Sequence, residues 1–177
     1  MKNLLIKIGK KSKKASLLKI NSKKKDKVLK DYYLLIEKNK KLIIKENQKD
    51  IRNAYKKKLK DSLIDRLILN DKKILDIIKS IKNIIKLKDP TNIILEKWSQ
   101  PNGLKISKVS IPIGVIAVIY ESRPNVTSDV ASLCFKSGNP VILKGGSEAF
   151  FSNKIFTYLF RKSLKKNNID ENFVQFI

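Results

Sequence analysis

Two polar loops hold the side chains best suited to chemistry. The loop Glu121–Asn125 directly follows the apolar segment Val115–Tyr120, and the loop Lys144–Glu148 follows a second apolar segment, Val141–Leu143. Both segments are short and rich in β-branched residues, which predicts buried strands. Because ligands bind at the carboxyl ends of the strands in parallel sheets, we predict that both loops face a ligand.

Asn125 and Lys144 are the residues in these loops with the clearest chemical use. An asparagine just past the end of a strand can donate its side-chain amide to an oxyanion that develops on a substrate. It can equally cap a helix that begins at Val126. Lys144 lies between a buried strand and two glycines, Gly145 and Gly146, which permit close backbone approach of a ligand or simply form a tight turn. The residues alone leave these alternatives open.

The residues around the two loops predict the elements that position them. Apolar residues from Val126 to Lys136 recur at helical spacing, and Ser137–Pro140 contains residues typical of tight turns. An amphipathic helix is predicted after Asn153, and Phe173–Ile177 begins a third strand. This order is typical of a right-handed βαβ unit, so we predict an α/β fold with a parallel sheet. A sheet that stops at an unfinished strand leads us to expect a chain that is cut short.

The chain before the sheet predicts a helical layer. Apolar residues recur at helical spacing from Ser12 to Leu87, with lysines on the opposite faces. Asp61-Ser62 and Asn70-Asp71 are predicted to cap two of these helices. The layer is expected to pack on another part of the protein.

A short hairpin is predicted between the helices and the sheet. Ile93–Leu95 and Leu104–Val109 have the character of strands, and Asn102-Gly103 is a typical hairpin turn. A two-stranded ribbon is marginally stable alone, so we expect it to contact a partner subunit or another domain. The predicted division of the chain is residues 1–90, 91–110 and 111–177.

The charge is strongly positive but unevenly distributed. The formal net charge is +24, with 36 lysines and 4 arginines. Residues 1–99 carry 30 Lys plus Arg against 11 acids, whereas residues 109–150 carry three of each sign. Charge has therefore accumulated on the helical part and is balanced around the two loops. We interpret it as a solvated surface; a face selected to bind polyanions is the alternative.

The histidine and cysteine content excludes several kinds of site. The chain has no histidine, which rules out Ser-His and Cys-His pairs within it and zinc sites that need imidazole, and we predict no metal site. The single cysteine, Cys134, permits no intrachain disulfide, in keeping with a reducing, cytoplasmic location. It lies on the apolar face of a predicted helix, so we interpret it as a buried side chain and not a nucleophile. The longest apolar run, Ile111–Tyr120, is too short to span a bilayer.

The segment around the two loops resembles a known enzyme family. The residues VSIPIGVIAVIYESRPNVTSDVASLCFKSGNPVILKGGSEAFFSN, from 109 to 153, closely resemble γ-glutamyl phosphate reductases (glutamate-5-semialdehyde dehydrogenases) of the aldehyde dehydrogenase superfamily. Upstream segments match in register, among them ENQKDI, IDRLIL, KDP and NGLKI. One departure is Asn92, where the family usually has glycine. The resemblance implies an incomplete aldehyde-dehydrogenase-like, Rossmann-type cofactor-binding domain with an amino-terminal helical layer and an oligomerisation hairpin.

The resemblance also implies roles for individual residues. Asn125 matches the asparagine that donates to the oxyanion when a cysteine thiolate attacks γ-glutamyl phosphate, and Lys144 matches a lysine that reaches the ribose of NADP(H). Arg123 is expected to meet a phosphate or carboxylate of the substrate. The remaining implied cofactor-binding residues are Ser122, Pro124, Gly145, Gly146, Ser147 and Glu148, of which Ser147 and Glu148 could instead cap the next helix.

We therefore expect the NADPH-dependent reduction of γ-glutamyl phosphate in proline biosynthesis, carried out by a protein of which this chain is the amino-terminal portion. The family's catalytic cysteine lies in the carboxy-terminal half, so the chain alone is expected to be inactive. It would act as a homo-oligomer when complete, or beside a second chain that carries the catalytic half. The alternatives are an inactive remnant or split subunit, and a basic protein that binds nucleic acid or a membrane surface.

Overall fold

The computed structural model describes residues 2–177, which form seven helices, five strands and two short 3₁₀ turns. The helices are α1 (Lys2–Ala15), α2 (Ser22–Lys38), α3 (Lys40–Lys56), α4 (Asp61–Leu67), α5 (Asp71–Lys86), α6 (Pro124–Lys136) and α7 (Phe150–Lys166). The strands are β1 (Ile94–Ser99), β2 (Lys105–Val109), β3 (Ile116–Tyr120), β4 (Val141–Gly145) and β5 (Val174–Phe176).

The predicted parallel sheet is confirmed. Its strand order is β3-β4-β5, and both pairs are parallel. Val141, Leu143 and Val174 are fully buried on one face of the sheet, which α6 and α7 cover. Helix α1 packs on the opposite face, where the Gln175 side-chain amide donates to the carbonyl of Ile8 at 2.9 Å.

Helices α2 to α5 form a further layer behind α6 and α7. Helices α2 and α5 pack on each other and on α6, and α2 and α3 both pack on α7. Aromatic rings join the layers, since Tyr32 of α2 lies 4.5 Å from Phe160 of α7 between ring centroids, and Phe135 lies 5.6 Å from Phe160. One continuous core therefore links the helical layer to the sheet.

The predicted cap of α5 is confirmed, that of α4 is wrong, and the predicted start of α6 is misplaced. The Asn70 side chain caps α5 by accepting from the Lys73 N–H at 2.9 Å, as predicted. Asp61 does not cap α4, because it is already the first helical residue and Lys60 occupies the cap position without a side-chain bond. Helix α6 begins at Pro124, two residues before the predicted start, because the fixed φ of proline suits the first helical position.

The hairpin is antiparallel, as predicted, and it is exposed on both faces. Gly103 in its turn has a φ of +83°, a left-handed conformation that glycine adopts without steric cost. Every strand residue is exposed except Ile106, which is half-buried. Oligomerisation through this hairpin stays a prediction.

Asn92, at the position where the resemblance led us to expect glycine, also lies in the left-handed region, with a φ of 60°. Asparagine is among the few residues that tolerate this conformation, so the loop keeps the backbone shape that a glycine would permit. Beside it, Lys25 of α2 is 2% exposed and donates to both carboxylate oxygens of Asp89, at 2.8 and 3.0 Å. This buried ion pair fixes the start of the hairpin segment to the helical layer.

None of the helices formed by residues 2–177 is long and apolar enough to cross a membrane.

Candidate functional site

The carboxyl ends of β3 and β4 lie side by side and bring the two polar loops together. Tyr120 and Gly145, the last residues of these strands, are register partners. Immediately beyond them, the Ser122 hydroxyl donates to Glu148 at 2.5 Å. The loops are thus tied to each other across the strand ends, where the sequence predicted a ligand-facing edge.

The Glu148 carboxylate is the ionised group at the centre of this tie. The hydrogen bond from Ser122 lowers the pKa of Glu148 below its ordinary value, with a smaller contribution from the Ser147 hydroxyl, which donates at 3.0 Å. Ser147 and Glu148 form a 3₁₀ turn and do not cap α7 through their side chains, so the capping alternative for these two residues is wrong. Glu148 is therefore a charged acceptor held at the mouth of the site.

Gly145 and Gly146 allow close approach to their backbone, and in this structure side chains of the same chain occupy that space. A Cβ on Gly145 would lie 2.2 Å from Nδ2 of Asn153, and one on Gly146 would lie 2.1 Å from Oγ of Ser122. Both glycines are therefore needed for packing around the loop. Their contact with a cofactor stays a prediction.

Lys144 lies near the end of β4, as predicted, with its side chain exposed. Its register partner is Ile119, which is 84% exposed on the same face of the sheet. Because side chains alternate along a strand, Lys144 lies on the face opposite to the buried Leu143. An ammonium group is thus presented to solvent beside the strand ends.

Asn125 is the second residue of α6 and its side chain is exposed. The alternative that it caps a helix starting at Val126 is wrong, because it lies inside the first turn and Arg123 occupies the cap position. Its amide nitrogen donates to Asp129, one turn later, at 3.4 Å, and the Ser80 hydroxyl of α5 donates to the same carboxylate at 2.7 Å. A carboxylate can only accept a hydrogen bond, so it is the nitrogen of the Asn125 amide, and not the oxygen, that lies toward Asp129.

Two clefts open beside these residues. The first, of about 360 Å³, is lined by Asn125, Pro124 and Asp129 of α6 together with α5 and the end of α4. The second, of about 380 Å³, is lined by Ser122, Gly146 and Glu148 together with α4 and Leu59. Arg66 of α4 lines both clefts, and sequence reasoning did not select it. The only sequence indication was its place in IDRLIL, which resembles the family without revealing a role.

A buried polar network holds the site from beneath, and it too was not predicted. Asp50 of α3 is 1% exposed and accepts from the backbone N–H groups of Phe151 and Ser152 at 3.0 and 2.8 Å and from the Ser152 hydroxyl at 2.7 Å. This carboxylate caps α7 from another helix, which explains why α7 begins at Phe150, before the predicted start after Asn153. Burial raises the pKa of Asp50, although the hydrogen bonds from Ser152 and Phe151 oppose the rise.

Asn47, one turn before Asp50, fixes the other wall of the clefts. Its amide donates to the Leu67 carbonyl at 2.8 Å and to the Ser152 hydroxyl at 2.9 Å, and its oxygen accepts from the Leu69 N–H at 2.8 Å. Asn47 is fully buried. The ENQKDI segment thereby joins the end of α4 to the start of α7. Arg66 lies on α4, and the Lys144–Glu148 loop leads into α7.

Cys134 lies 9% exposed on the inner face of α6, and burial raises the pKa of its thiol above the ordinary value. A thiol in this environment stays protonated at neutral pH and is a poor nucleophile. Within residues 2–177, His, Cys, Asp and Glu side chains form no group of three or more that could hold a metal ion.

The similarity to known proteins covers the whole chain. It is 45% identical to the γ-glutamyl phosphate reductase of Nautilia profundicola over 177 residues, which is all of this chain and 43% of that protein. The corresponding protein of Dictyoglomus thermophilum is 42% identical, again over all of this chain and 43% of its own length. The chain therefore spans less than half the length of these curated relatives. A scan against protein-family models gave no match.

Solved structures show the same correspondence. The γ-glutamyl phosphate reductase of Thermotoga maritima superposes with a TM-score of 0.95 at 40% identity, covering 98% of this chain and 42% of that one. A putative aldehyde dehydrogenase from Bacillus subtilis superposes with a TM-score of 0.70 at 14% identity, which supports the fold alone. The resemblance predicted from the sequence and the aldehyde-dehydrogenase-like fold are both confirmed for the amino-terminal portion of these proteins.

Proposed function

We propose that this chain is the amino-terminal, cofactor-binding portion of a γ-glutamyl phosphate reductase, and that it contributes to the NADPH-dependent reduction of γ-glutamyl phosphate to glutamate 5-semialdehyde. The observation that carries the proposal is the arrangement at the carboxyl ends of β3 and β4. There, Asn125 in the first turn of α6 and Lys144 near the end of β4 lie beside adjacent strand ends, and the whole of this chain matches these reductases.

Asn125 acts as the donor to the oxyanion. Asp129 accepts from one N–H of its amide at 3.4 Å, so the second N–H is free to donate to a substrate in the cleft that Asn125 lines. An amide fixed before the reaction stabilises a developing negative charge without reorganising, and one such donor typically contributes about 100-fold or more to kcat. The nucleophilic cysteine is supplied by a carboxy-terminal portion, since Cys134 is buried.

The loops at the strand ends fit a nicotinamide dinucleotide. Lys144 offers an exposed ammonium group suited to a 2′-phosphate, and Glu148 is an ionised acceptor suited to a ribose hydroxyl. Ser122, Pro124 and Ser147 complete the rim, and Gly145 and Gly146 keep the backbone there free of side chains of their own. When bound, the cofactor supplies the hydride that reduces the acyl group.

The test combines this chain with the part of a related reductase to which this chain has no counterpart. The 177-residue chain is assayed alone, mixed with the separately expressed carboxy-terminal portion of the Nautilia profundicola reductase, and fused to it in one polypeptide. The readout is NADPH formation in the reverse direction, from glutamate 5-semialdehyde, phosphate and NADP⁺. We expect no turnover by the chain alone and turnover by the fused protein or the mixture.

Asn125→Ala in the active combination is expected to lower kcat by about 100-fold. Asn83→Ala, which removes an exposed asparagine from α5, serves as the matched control and leaves the rate unchanged. If neither the mixture nor the fused protein turns over, the proposal fails and the chain is an inactive remnant. Turnover by the chain alone would equally contradict it.

A further inference from the structure

Two arginines from different parts of the chain converge on one carboxylate beside the proposed site. The guanidinium Nη1 of Arg66, on α4, lies 3.6 Å from Oε2 of Glu121, at the end of β3. Nε of Arg123 lies 3.9 Å from the same oxygen. The chain contains only four arginines, so half of them meet at this point.

The backbone that carries Arg66 is firmly placed. The carbonyl of the next residue, Leu67, accepts from the buried amide of Asn47, and the N–H of Leu69 donates back to it. Arg123 is the cap residue of α6, immediately before Pro124. Both guanidinium groups therefore extend from fixed backbone positions, and Arg66 borders both the cleft that contains Asn125 and the cleft that contains Glu148.

The contact with Glu121 is weak enough to be exchanged. The Glu121 side chain is 76% exposed, and those of Arg66 and Arg123 are 49% and 51% exposed. Ion pairs this exposed typically contribute about 0–1 kcal/mol. A phosphate dianion offers more charge and more acceptor oxygens than one carboxylate, and the planar guanidinium group matches phosphate in a two-bond geometry. Such an anion would displace Glu121 at little energetic cost.

We propose that Arg66 and Arg123 together bind the phosphoryl group of the acyl phosphate substrate, and that the Glu121 carboxylate occupies this position until the substrate arrives. The inference rests on the proposed function and deepens it, because it names the pair of residues that selects a phosphorylated substrate. Arg66 lines the cleft that contains Asn125, and Glu121 lines the neighbouring cleft, so the proposed anion position borders the cleft of the oxyanion donor.

The pair can be observed directly in the 177-residue chain. With four arginines, the guanidinium Nε–H resonances of the ¹⁵N-labelled protein can be assigned one by one through single Arg→Lys variants. Inorganic phosphate is titrated at constant ionic strength. We expect the resonances of Arg66 and Arg123 to shift together and saturate, and those of Arg52 and Arg161 to stay in place. Arg161 is the internal control, since it is already paired with Glu171.

Three variants sharpen the titration. Arg66→Ala is expected to weaken phosphate binding by about tenfold, as loss of a hydrogen-bonded charge typically does. Arg161→Ala should leave the affinity unchanged. Glu121→Gln removes the competing charge and should tighten binding several-fold, which a role for Glu121 in folding alone would not produce. If Arg66→Ala fails to fold, the Glu121→Gln titration still tests the inference.

Parallel titrations identify the source of the anion. Glutamate, which offers carboxylates only, should shift the two resonances less than phosphate at the same concentration, and NADP⁺ should compete with phosphate weakly or not at all. Uniform shifts of all four arginines, or phosphate binding that Glu121→Gln leaves unchanged, would overturn the inference. If NADP⁺ displaces phosphate at concentrations near its own Kd, the two arginines belong to the cofactor site and the inference is also overturned.

The outcome is separable from that of the proposed function. Saturable phosphate binding at Arg66 and Arg123 with no turnover by the combined portions would contradict the reductase proposal and leave the anion site standing. In an active combination, Arg66→Ala should raise the KM for phosphate in the reverse direction by about tenfold with little change in kcat, the pattern of lost ground-state binding. Turnover with an unchanged KM would contradict the anion site alone.

Discussion

Beneath the carboxyl edge of the sheet, Asn47 and Asp50 are almost completely buried, and each makes three hydrogen bonds with N–H, O–H or carbonyl partners. Above the same edge, Asn125 and Lys144 are exposed, and the hydrogen bond of Asn125 to Asp129 is long. The lower groups determine where α4 and α7 lie, and the upper groups stay available for a ligand. Structural support and the proposed chemistry therefore fall to different residues, so substitutions in the two layers should affect different measurements.

The largest effect is expected from Asp50→Ala. Removal of the carboxylate leaves one buried N–H, one partly buried N–H and a buried hydroxyl without their acceptor, which should lower the free energy of unfolding by about 3 kcal/mol. Urea unfolding followed by circular dichroism measures the change. Glu46→Ala, on the same helix, removes only a partly exposed pair with Lys49 and should cost less than about 0.5 kcal/mol. Equal effects of the two substitutions would remove the distinction between the layers.

Gly146→Ala tests the junction between the layers and is expected to cost about 1–3 kcal/mol. The added Cβ would lie 2.1 Å from Oγ of Ser122 and 3.2 Å from its backbone nitrogen. Gly9→Ala is the matched control, because the space around a Cβ in that helix is open; it should stabilise the chain by about 0.5–1 kcal/mol. Ser122→Ala should rescue part of the Gly146→Ala defect in a double-mutant cycle, and full additivity would contradict the predicted clash.

Lys144→Ala tests the upper layer alone. We expect the Kd for NADPH to rise by about tenfold, with a smaller change for NADH, because the lost ammonium group is proposed to meet the 2′-phosphate. Isothermal titration of the fused protein measures both constants. The free energy of unfolding should stay within about 0.5 kcal/mol, as for other exposed substitutions. Equal losses for NADPH and NADH would contradict this role for Lys144.

The smallest expected effect concerns pH: the contributions of Asp50 and Asp89 to the free energy of unfolding should change with pH in opposite directions. Burial raises the pKa of Asp50 in the folded chain, so its contribution to stability is fully present below the ordinary aspartate pKa and is lost as pH rises through the raised value. For Asp89, burial also acts to raise the pKa, but hydrogen bonds from Lys25 and Thr91 outweigh it and the pKa is lowered. Its contribution is present above the ordinary value and is lost as pH falls.

Unfolding of Asp50→Asn and Asp89→Asn across the acid range checks this prediction. The penalty for Asp50→Asn relative to the unsubstituted chain should shrink as pH rises, and that for Asp89→Asn should shrink as pH falls. Parallel curves for the two variants would contradict the opposite pKa shifts of the two carboxylates.

Local sequence patterns predicted the elements that depend on neighbouring residues. The strands before both loops, the Asn70 cap and the Asn102-Gly103 turn each follow from residues within a few positions of one another. The start of α6 was misplaced because Pro124 and Asn125 read as loop residues, although proline is well suited to the first turn of a helix. The placement of Asn125 and Lys144 at one edge followed from the general geometry of parallel sheets.

Long-range pairings could not be predicted in this way. Asp50 and Ser152 lie 102 positions apart, and nothing near either residue indicates that one caps the helix of the other. Arg66 was missed for the same reason, because its importance comes from the fold that brings α4 beside Glu121. In this chain, periodicity predicted the elements, and tertiary contacts alone determined which polar groups became supports.

The packing of α1 against the end of the chain has a consequence for synthesis on the ribosome. The Ser12 hydroxyl donates to the carbonyl of Asn172, and the Gln175 amide donates to the carbonyl of Ile8. Helix α1 is made 160 or more residues before these partners, so its buried Ser12 lacks its native contacts until Asn172 and Gln175 have been made. The β1–β2 hairpin, by contrast, can close as soon as it emerges, because its pairs are close in sequence. In pulse-labelled refolding, the amides of α1 should therefore gain protection from hydrogen exchange after those of the hairpin.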